Sequence, residues 1–196
     1  MNTVLTDHAA SSRSRHHRSR APRPSTRIVL RSATPGEASA LDALITAHLE
    51  EGRLLPRERE ELAVHADRFV VAVRRGRVVG CAELAPLSGR VAEVRSLVVD
   101  RGARSLGIGR RLVAELQRRA RSAGFEQLCA FAHDAAYFAR MGFSIVPHTW
   151  VPEKIARDCT TCSQFRRCGQ HALVLPLVGG RQPRVHTYVP LASLRG

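Results

Sequence analysis

Residues 104–112 read RSLGIGRRL and place two glycines, Gly107 and Gly109, just before a run of helix-forming residues. The first backbone N–H groups of a helix have no partner within it, and the helix dipole adds positive potential, so such a start can bind an anion. Glycines allow close backbone approach, and the neighbouring arginines suit phosphate groups. The alternative interpretation of this stretch is a tight turn with ordinary surface arginines and no ligand. The dinucleotide pattern G-x-G-x-x-G and the triphosphate-binding G-K-[ST] are both absent from this stretch.

The composition limits the classes of partner. The chain has 196 residues, which suits one domain of about 150 residues with a tail. Its formal net charge is +14, carried almost entirely by arginine. This balance fits a nucleic acid, a membrane surface or a polyanionic small molecule, or an arginine-rich composition with no specific role. No apolar stretch approaches the roughly 20 residues of a membrane helix, so no membrane partner is expected.

Three segments are expected along the chain. Residues 1–26 are rich in Ser, Arg, His and Pro and predict a disordered basic tail. An extension with no specific role is favoured there, and a nucleic-acid-binding arm or an organelle-targeting peptide stays open. Residues 27–178 form the ordered domain, and residues 179–196 an irregular C-terminal tail. The N-terminus lacks the apolar core of a signal peptide, which predicts a cytoplasmic, reducing location with five unpaired cysteines.

The ordered domain carries alternating strand and helix patterns. A helix over 34–52 is predicted from Thr34 as cap, Pro35 at its first position and Gly52 at its end. Leu41, Leu44, Ile45 and Leu49 give that helix its apolar face. Further helices are predicted after the turn at 54–60, over 107–124 and over 134–143; strands are predicted over 27–33, 68–74, 77–87, 89–100 and 125–132, from 144, and over 171–178. The fold class is α+β (mixed α/β), since regular βαβ alternation is missing.

Two motifs resemble those of the GNAT superfamily of N-acetyltransferases. The first is R-x-x-G-x-G at 104–109, between a strand and a long helix, and the second is YFARMGF at 137–143. The resemblance covers residues 27–178. It implies the GNAT fold, a single mostly antiparallel sheet of about seven strands flanked by helices. It also implies acetyl-CoA as co-substrate, with direct transfer of the acetyl group to an amine.

The resemblance assigns a coenzyme site to main-chain groups. The end of the fourth strand would pair with the pantetheine arm, and one of its N–H groups would polarise the thioester carbonyl. The following loop would hold the pyrophosphate. The residues so assigned are Leu97, Val98, Val99, Arg104, Ser105, Leu106, Gly107, Ile108, Gly109 and Arg110.

Three charged residues are candidates for the acceptor side. Glu93 occupies the strand position used as general base in part of the superfamily, and a structural Glu–Arg pair is the alternative. Strand alternation places Glu93, Arg95 and Leu97 on one face. The fork of Arg95 suits a substrate carboxylate, and Lys154 is a further candidate for the acceptor pocket.

Tyr137 is a candidate general acid with an open position. Superfamily members often place a tyrosine four residues before the glycine of the second motif. Here Phe138 is four residues before Gly142, and Tyr137 is five residues before it. One residue turns a helical side chain by about 100°, so Tyr137 either protonates the leaving thiolate or points elsewhere, for instance into the core.

A narrower resemblance is to short bacterial N-acetylglutamate synthases. It rests on the pattern D-C-x-x-C-x-x-F-x-x-C, formed by Asp158, Cys159, Cys162, Phe165 and Cys168. It implies acetylation of the α-amine of L-glutamate, the first step of arginine biosynthesis. Another amino acid or small amine as acceptor, and a non-catalytic basic binding protein, are the alternatives. Nucleic acid is not expected as partner, and a homodimer stays open.

The insertion at 149–170 allows two interpretations of its cysteines. Cys159, Cys162, Cys168 and His171 have the types and paired spacing of zinc ligands, although the central gap of five residues is short. A substrate-covering loop whose cysteines pack as small apolar groups is favoured, so no metal is expected. Cys81 and Cys129 lie in predicted strands and are expected in the core.

Overall fold

A computed structural model describes residues 27–49 and 54–178. The predicted tails at 1–26 and 179–196, and the predicted helix end at Gly52, lie outside these residues. The strands are β1 (Val29–Ser32), β2 (Phe69–Arg74), β3 (Arg77–Pro86), β4 (Val91–Val99), β5 (Gln127–Ala132), β6 (Ser144–Val146) and β7 (His171–Pro176).

Five α-helical segments accompany the strands: α1 (Ala38–Thr46), α2 (Arg59–Val64), α3 (Ile108–Ser122), α4 (Ala135–Ala139) and α5 (Pro152–Lys154). A π-helical turn, Ile155–Cys159, continues α5. Short 3₁₀ turns cover Pro35–Glu37, Ala66–Arg68, Arg101–Ala103, His148–Trp150 and Phe165–Arg167. None of the described helices is both long and apolar enough to cross a membrane.

The strands form one sheet in the order β1-β2-β3-β4-β5-β7-β6. Every neighbouring pair is antiparallel except β4 and β5, which run parallel. The predicted seven-stranded, mostly antiparallel sheet is therefore confirmed. Pairing between β4 and β5 stops at Val94 and Ala130, although both strands continue. The two strands diverge beyond that point, and the divergence opens the sheet at its centre.

Helices cover both faces of the sheet. Helix α3 buries Ile108, Leu112 and Leu116 against one face. Helices α1 and α2 bury Leu41, Ile45 and Leu62 in a second cluster on the other face, as the predicted apolar stripe requires. The cap at Thr34 is also present, because the Glu37 carboxylate accepts a hydrogen bond of 3.0 Å from the Thr34 backbone N–H.

A β-bulge in β4 changes the predicted alternation of its side chains. Ser96 has φ of 48°, and the β3–β4 register shifts by one residue between the pairs Cys81–Val98 and Glu83–Arg95. Leu97 consequently packs with the α3-side cluster, and Val98 with the α1-side cluster. The prediction that Leu97 shares a face with Glu93 and Arg95 was wrong, because the extra residue inverts the alternation beyond Ser96.

Candidate active site

A cleft of about 850 Å³ occupies the place where β4 and β5 diverge. One side is formed by the second half of β4, the loop into α3 and the first residues of that helix. The other side is formed by segment 54–57, the end of β5 and the turns after α5. The start of α3, which no side chain of the described residues caps, faces this space together with two groups of charged side chains. These groups are Arg104 and Arg110 on one side, and Glu93, Arg95, Lys154 and Asp158 on the other.

The loop before α3 presents main-chain donors to the cleft. Ser105 and Gly107 have φ angles of 65° and 70°, and Gly107 is the first residue outside α3. No side chain caps this helix start among the described residues. Its N–H groups are therefore available to an anion, with the helix dipole in support. Arg104 and Arg110 line the cleft beside them.

The divergence of the sheet adds main-chain groups from β4. Beyond Val94 the edge of β4 that would face β5 has no ladder partner in that strand. Leu97, Val98 and Val99 lie on this stretch and line the cleft. An extended ligand arm can therefore pair with β4 there as an additional strand would. Of the ten residues assigned to the coenzyme, Leu106 alone does not line the cleft and is exposed.

Tyr137 lies over the start of α3. A Cβ added at Gly109 would collide with the Tyr137 hydroxyl, so this glycine makes room for the tyrosine. Tyr137 lines the cleft, while Phe138 is the buried residue and packs edge-on against Phe143 at 5.3 Å. Burial raises the pKa of Tyr137. The hydroxyl therefore stays protonated at neutral pH and can donate a hydrogen bond or a proton.

The acceptor side holds a cluster of four charged residues, Glu93, Arg95, Lys154 and Asp158. The buried Glu93 carboxylate accepts from Arg95 Nε at 2.5 Å and from Lys154 Nζ at 2.8 Å. Asp158 Oδ2 accepts from Lys154 Nζ at 2.9 Å and from Arg95. The predicted Glu93–Arg95 pair is thus present, and all four residues also line the cleft. Burial and the two cations hold the Glu93 side chain in one place beside the open space.

Sequence reasoning missed a second ion network beneath the cleft. Arg57 Nη1 donates to Glu83 Oε2 at 2.8 Å and to the Ser96 hydroxyl at 3.1 Å, and Arg57 also pairs with Glu61. Glu83 is only 1% exposed. A glutamate among the apolar residues that follow Arg77 in the predicted strand 77–87 was the available signal, because buried carboxylates require partners.

His48 is another missed residue that lines the cleft. Its Nδ1 lies 2.8 Å from the Leu44 carbonyl oxygen, so Nδ1 carries the proton in the neutral ring. Nε2 is buried and has no hydrogen-bond partner among the described residues. It is therefore an acceptor at the wall of the cleft. An isolated histidine at the end of a helix gives no sequence signal of this.

The structure gathers no set of metal ligands around the cysteines of the insertion in the part of the chain that it describes. No group of three or more His, Cys, Asp or Glu residues within 27–49 and 54–178 could hold a metal ion. The zinc alternative for Cys159, Cys162, Cys168 and His171 thus has no support there. Cys81 and Cys129 are buried, as expected, and burial raises the pKa of Cys81 to about 12.

Comparisons with known proteins identify acetyltransferases that are similar to this chain. The model of the acetyltransferase (GNAT) family matches residues 38–143. An uncharacterized N-acetyltransferase of Chlorobaculum tepidum is 32% identical over 154 residues, which cover 79% of this chain and 99% of the relative. An amino-acid acetyltransferase of Neisseria meningitidis is 32% identical over 150 residues, or 76% of this chain. The match spans only 33% of that longer relative.

A solved structure shares the fold of this chain. The N-acetylglutamate synthase of Neisseria gonorrhoeae, complexed with coenzyme A and N-acetyl-glutamate, superposes with a TM-score of 0.70 at 29% identity. The similarity covers 79% of this chain and 36% of that one. The main-chain donors at α3 and β4 suit acetyl-CoA as the acetyl donor. The chain belongs to the acetyltransferase (GNAT) family.

Proposed function

We propose that this N-acetyltransferase transfers the acetyl group of acetyl-CoA to the α-amine of L-glutamate. The observation that carries the proposal is the pair of cations, Arg95 and Lys154, that faces the cleft beside the buried carboxylate of Glu93. The amino-acid acetyltransferases similar to this chain support an amino acid as acceptor, and the gonococcal synthase with bound N-acetyl-glutamate supports glutamate.

The donor binds through the main chain. N–H groups around Gly107 and Gly109 take the pyrophosphate, and the free edge of β4 takes the pantetheine arm. One β4 N–H group between Leu97 and Val99 then donates to the thioester oxygen. That oxygen gains negative charge as the amine attacks, so a fixed donor lowers the barrier. A polycationic acceptor is disfavoured because the chain itself carries a net charge of +14.

Glu93 removes a proton from the acceptor amine, directly or through a water molecule. The neutral amine attacks the thioester carbon, a C–N bond forms, and the C–S bond breaks. The departing thiolate of coenzyme A takes a proton from the Tyr137 hydroxyl. The acylated nitrogen loses its extra proton as the amide forms, and this proton restores the Tyr137 hydroxyl through solvent. Arg95 and Lys154 hold a carboxylate of the acceptor and so place its amine in line with the thioester.

The domain that performs this chemistry is residues 27–178. We place the reaction at the start of arginine biosynthesis in the cytoplasm, in accord with the glutamate acceptor.

A panel of acceptors tests the proposal. Purified full-length protein is assayed for thiol release from acetyl-CoA with L-glutamate, L-glutamine, L-aspartate, L-lysine and spermidine, and with glutarate as an amine-free control. We expect the highest kcat/KM with L-glutamate and no release above background with glutarate. A preference for spermidine or another amine without a carboxylate contradicts the proposal, as does the absence of release with every acceptor.

A further inference from the structure

The two cations assigned to the acceptor carboxylate already hold a carboxylate of the protein. Asp158 Oδ2 lies 2.9 Å from Lys154 Nζ and also pairs with Arg95. On their inner side the same cations hold Glu93. Arg95 and Lys154 therefore lie between two carboxylates. The inner one, Glu93, has a side chain 4% exposed, and the outer one, Asp158, has a side chain 30% exposed.

This arrangement is balanced in charge and closed to a third anion. Two cations face two carboxylates, so a third carboxylate would give the cluster a net charge of −1 if both stayed in place. Like charges at contact distance in a half-buried site repel strongly. An acceptor carboxylate can reach Arg95 and Lys154 only when one of the two protein carboxylates leaves.

Asp158 is the carboxylate that can leave. Glu93 lies in β4, which pairs with β3 on one side and β5 on the other at that residue. Asp158 lies in the π-helical turn Ile155–Cys159, outside the sheet, and is the most exposed of the four side chains. Its movement breaks two ion pairs and no sheet hydrogen bond.

Lys154 is suited to such an exchange of partners. It is the only lysine among the 31 lysine and arginine residues of the chain. An ammonium on a flexible stem can turn from one carboxylate to another, whereas a guanidinium holds a fixed fork. Lys154 Nζ also lies 5.3 Å from the centre of the Phe131 ring, which supports the cation while it changes partners.

We propose that Asp158 is an internal substitute for the acceptor's carboxylate, displaced when the acceptor binds. This inference rests on the proposed function. In the free enzyme Asp158 occupies Arg95 and Lys154, and an acceptor displaces it only if the acceptor has a carboxylate of its own. Amines that lack a carboxylate leave Asp158 in place. Asp158 is thus a specificity-determining residue that lowers affinity for every acceptor and excludes simple amines.

Binding of an amine-free dicarboxylate tests the exchange without any chemistry. Glutarate is titrated by calorimetry into the full-length protein saturated with coenzyme A, for the wild type, Asp158→Asn and Glu153→Gln. Glu153→Gln removes the same charge from α5, next to the π-helical turn that carries Asp158, but Glu153 does not line the cleft. We expect Asp158→Asn to bind glutarate about tenfold more tightly, because the competing state no longer reduces the fraction of open sites. Glu153→Gln should match the wild type.

The outcomes separate the inference from the proposed function. Unchanged or weaker glutarate binding by Asp158→Asn, with wild-type coenzyme A affinity and thermal stability, overturns the exchange while leaving glutamate as acceptor. Tighter binding in both Asp158→Asn and Glu153→Gln also overturns it, since general electrostatics then suffices. If neither the wild type nor Asp158→Asn binds glutarate or L-glutamate, the proposed function fails, and the exchange fails with it.

Discussion

The two sides of the cleft are built in different ways. On the donor side the main chain makes the site, through the left-handed residues Ser105 and Gly107, the start of α3 and the free edge of β4. On the acceptor side charged side chains make it, and they come from β4, from α5 and from the π-helical turn after α5. A main-chain site depends on where the backbone lies. A side-chain site depends on every member of its ion network.

This difference determines how well each side of the cleft tolerates amino-acid substitutions. Most side chains around a main-chain site can change as long as the backbone keeps its course and no atom fills the space of the ligand. A buried ion network behaves in the opposite way, because removing one partner leaves the other charge uncompensated. The following substitutions test whether the two sides of the cleft differ in this respect.

The largest effect is expected for Glu83→Ala, beneath the acceptor side. Glu83 and Arg57 have side chains 2% and 11% exposed, and they pair at 2.8 Å. Loss of the carboxylate leaves the Arg57 guanidinium without its buried counter-charge and with only the half-exposed Glu61 as partner. We expect the free energy of unfolding in urea to fall by about 3–5 kcal/mol.

The matched control is Glu61→Ala, which removes the other partner of the same arginine. The Glu61 side chain is 43% exposed, and an exposed pair contributes at most about 1 kcal/mol. If both variants lost the same free energy of unfolding, the buried Arg57–Glu83 pair would not be what stabilises the acceptor side.

A smaller effect is expected for Gly109→Val on the donor side. The added atoms occupy space that the Tyr137 hydroxyl already crowds, and they obstruct the approach of a ligand to the start of α3. Calorimetry should show coenzyme A binding weakened about 100-fold, equivalent to about 2.7 kcal/mol. Thermal unfolding of the same sample shows whether the fold is retained.

Ser105→Gly is the control for that substitution. Ser105 has φ of 65°, which glycine adopts without strain, and its role in the loop is that of backbone. Coenzyme A affinity should stay within about twofold of the wild type. A large loss in Ser105→Gly, or full affinity in Gly109→Val, would show that side chains rather than the main chain build this side.

The same division explains what the sequence could predict. Hydrophobic alternation, the cap at Thr34 and the glycines at 107, 124 and 142 mark local structure, and they predicted the strands and α3. The single sheet and the donor site followed from the resemblance of residues 104–109 and 137–143 to two GNAT motifs. The sequence did not predict the bulge at Ser96, because a positive φ at serine leaves no signal in the local sequence. Consequently the predicted faces of β4 were wrong beyond Arg95.

The acceptor side was predictable only in part. Glu93 and Arg95 are two residues apart on one strand, so alternation alone brought them together. Lys154 and Asp158 reach them across 61 and 63 residues. Arg57 reaches Glu83 across 26 residues. Such contacts depend on how the chain folds back on itself. Local sequence patterns do not show which residues far apart in the chain come into contact.

The turnover of Glu93→Gln tests most directly the central claim that donor binding and deprotonation of the acceptor amine belong to separate sides of one cleft. With saturating acetyl-CoA and L-glutamate at neutral pH, we predict that kcat falls about 10²- to 10⁴-fold. The dissociation constant for coenzyme A, measured on the same protein, should not change. Wild-type turnover in Glu93→Gln, or a loss of coenzyme A binding that accounts for the lost rate, would contradict the account.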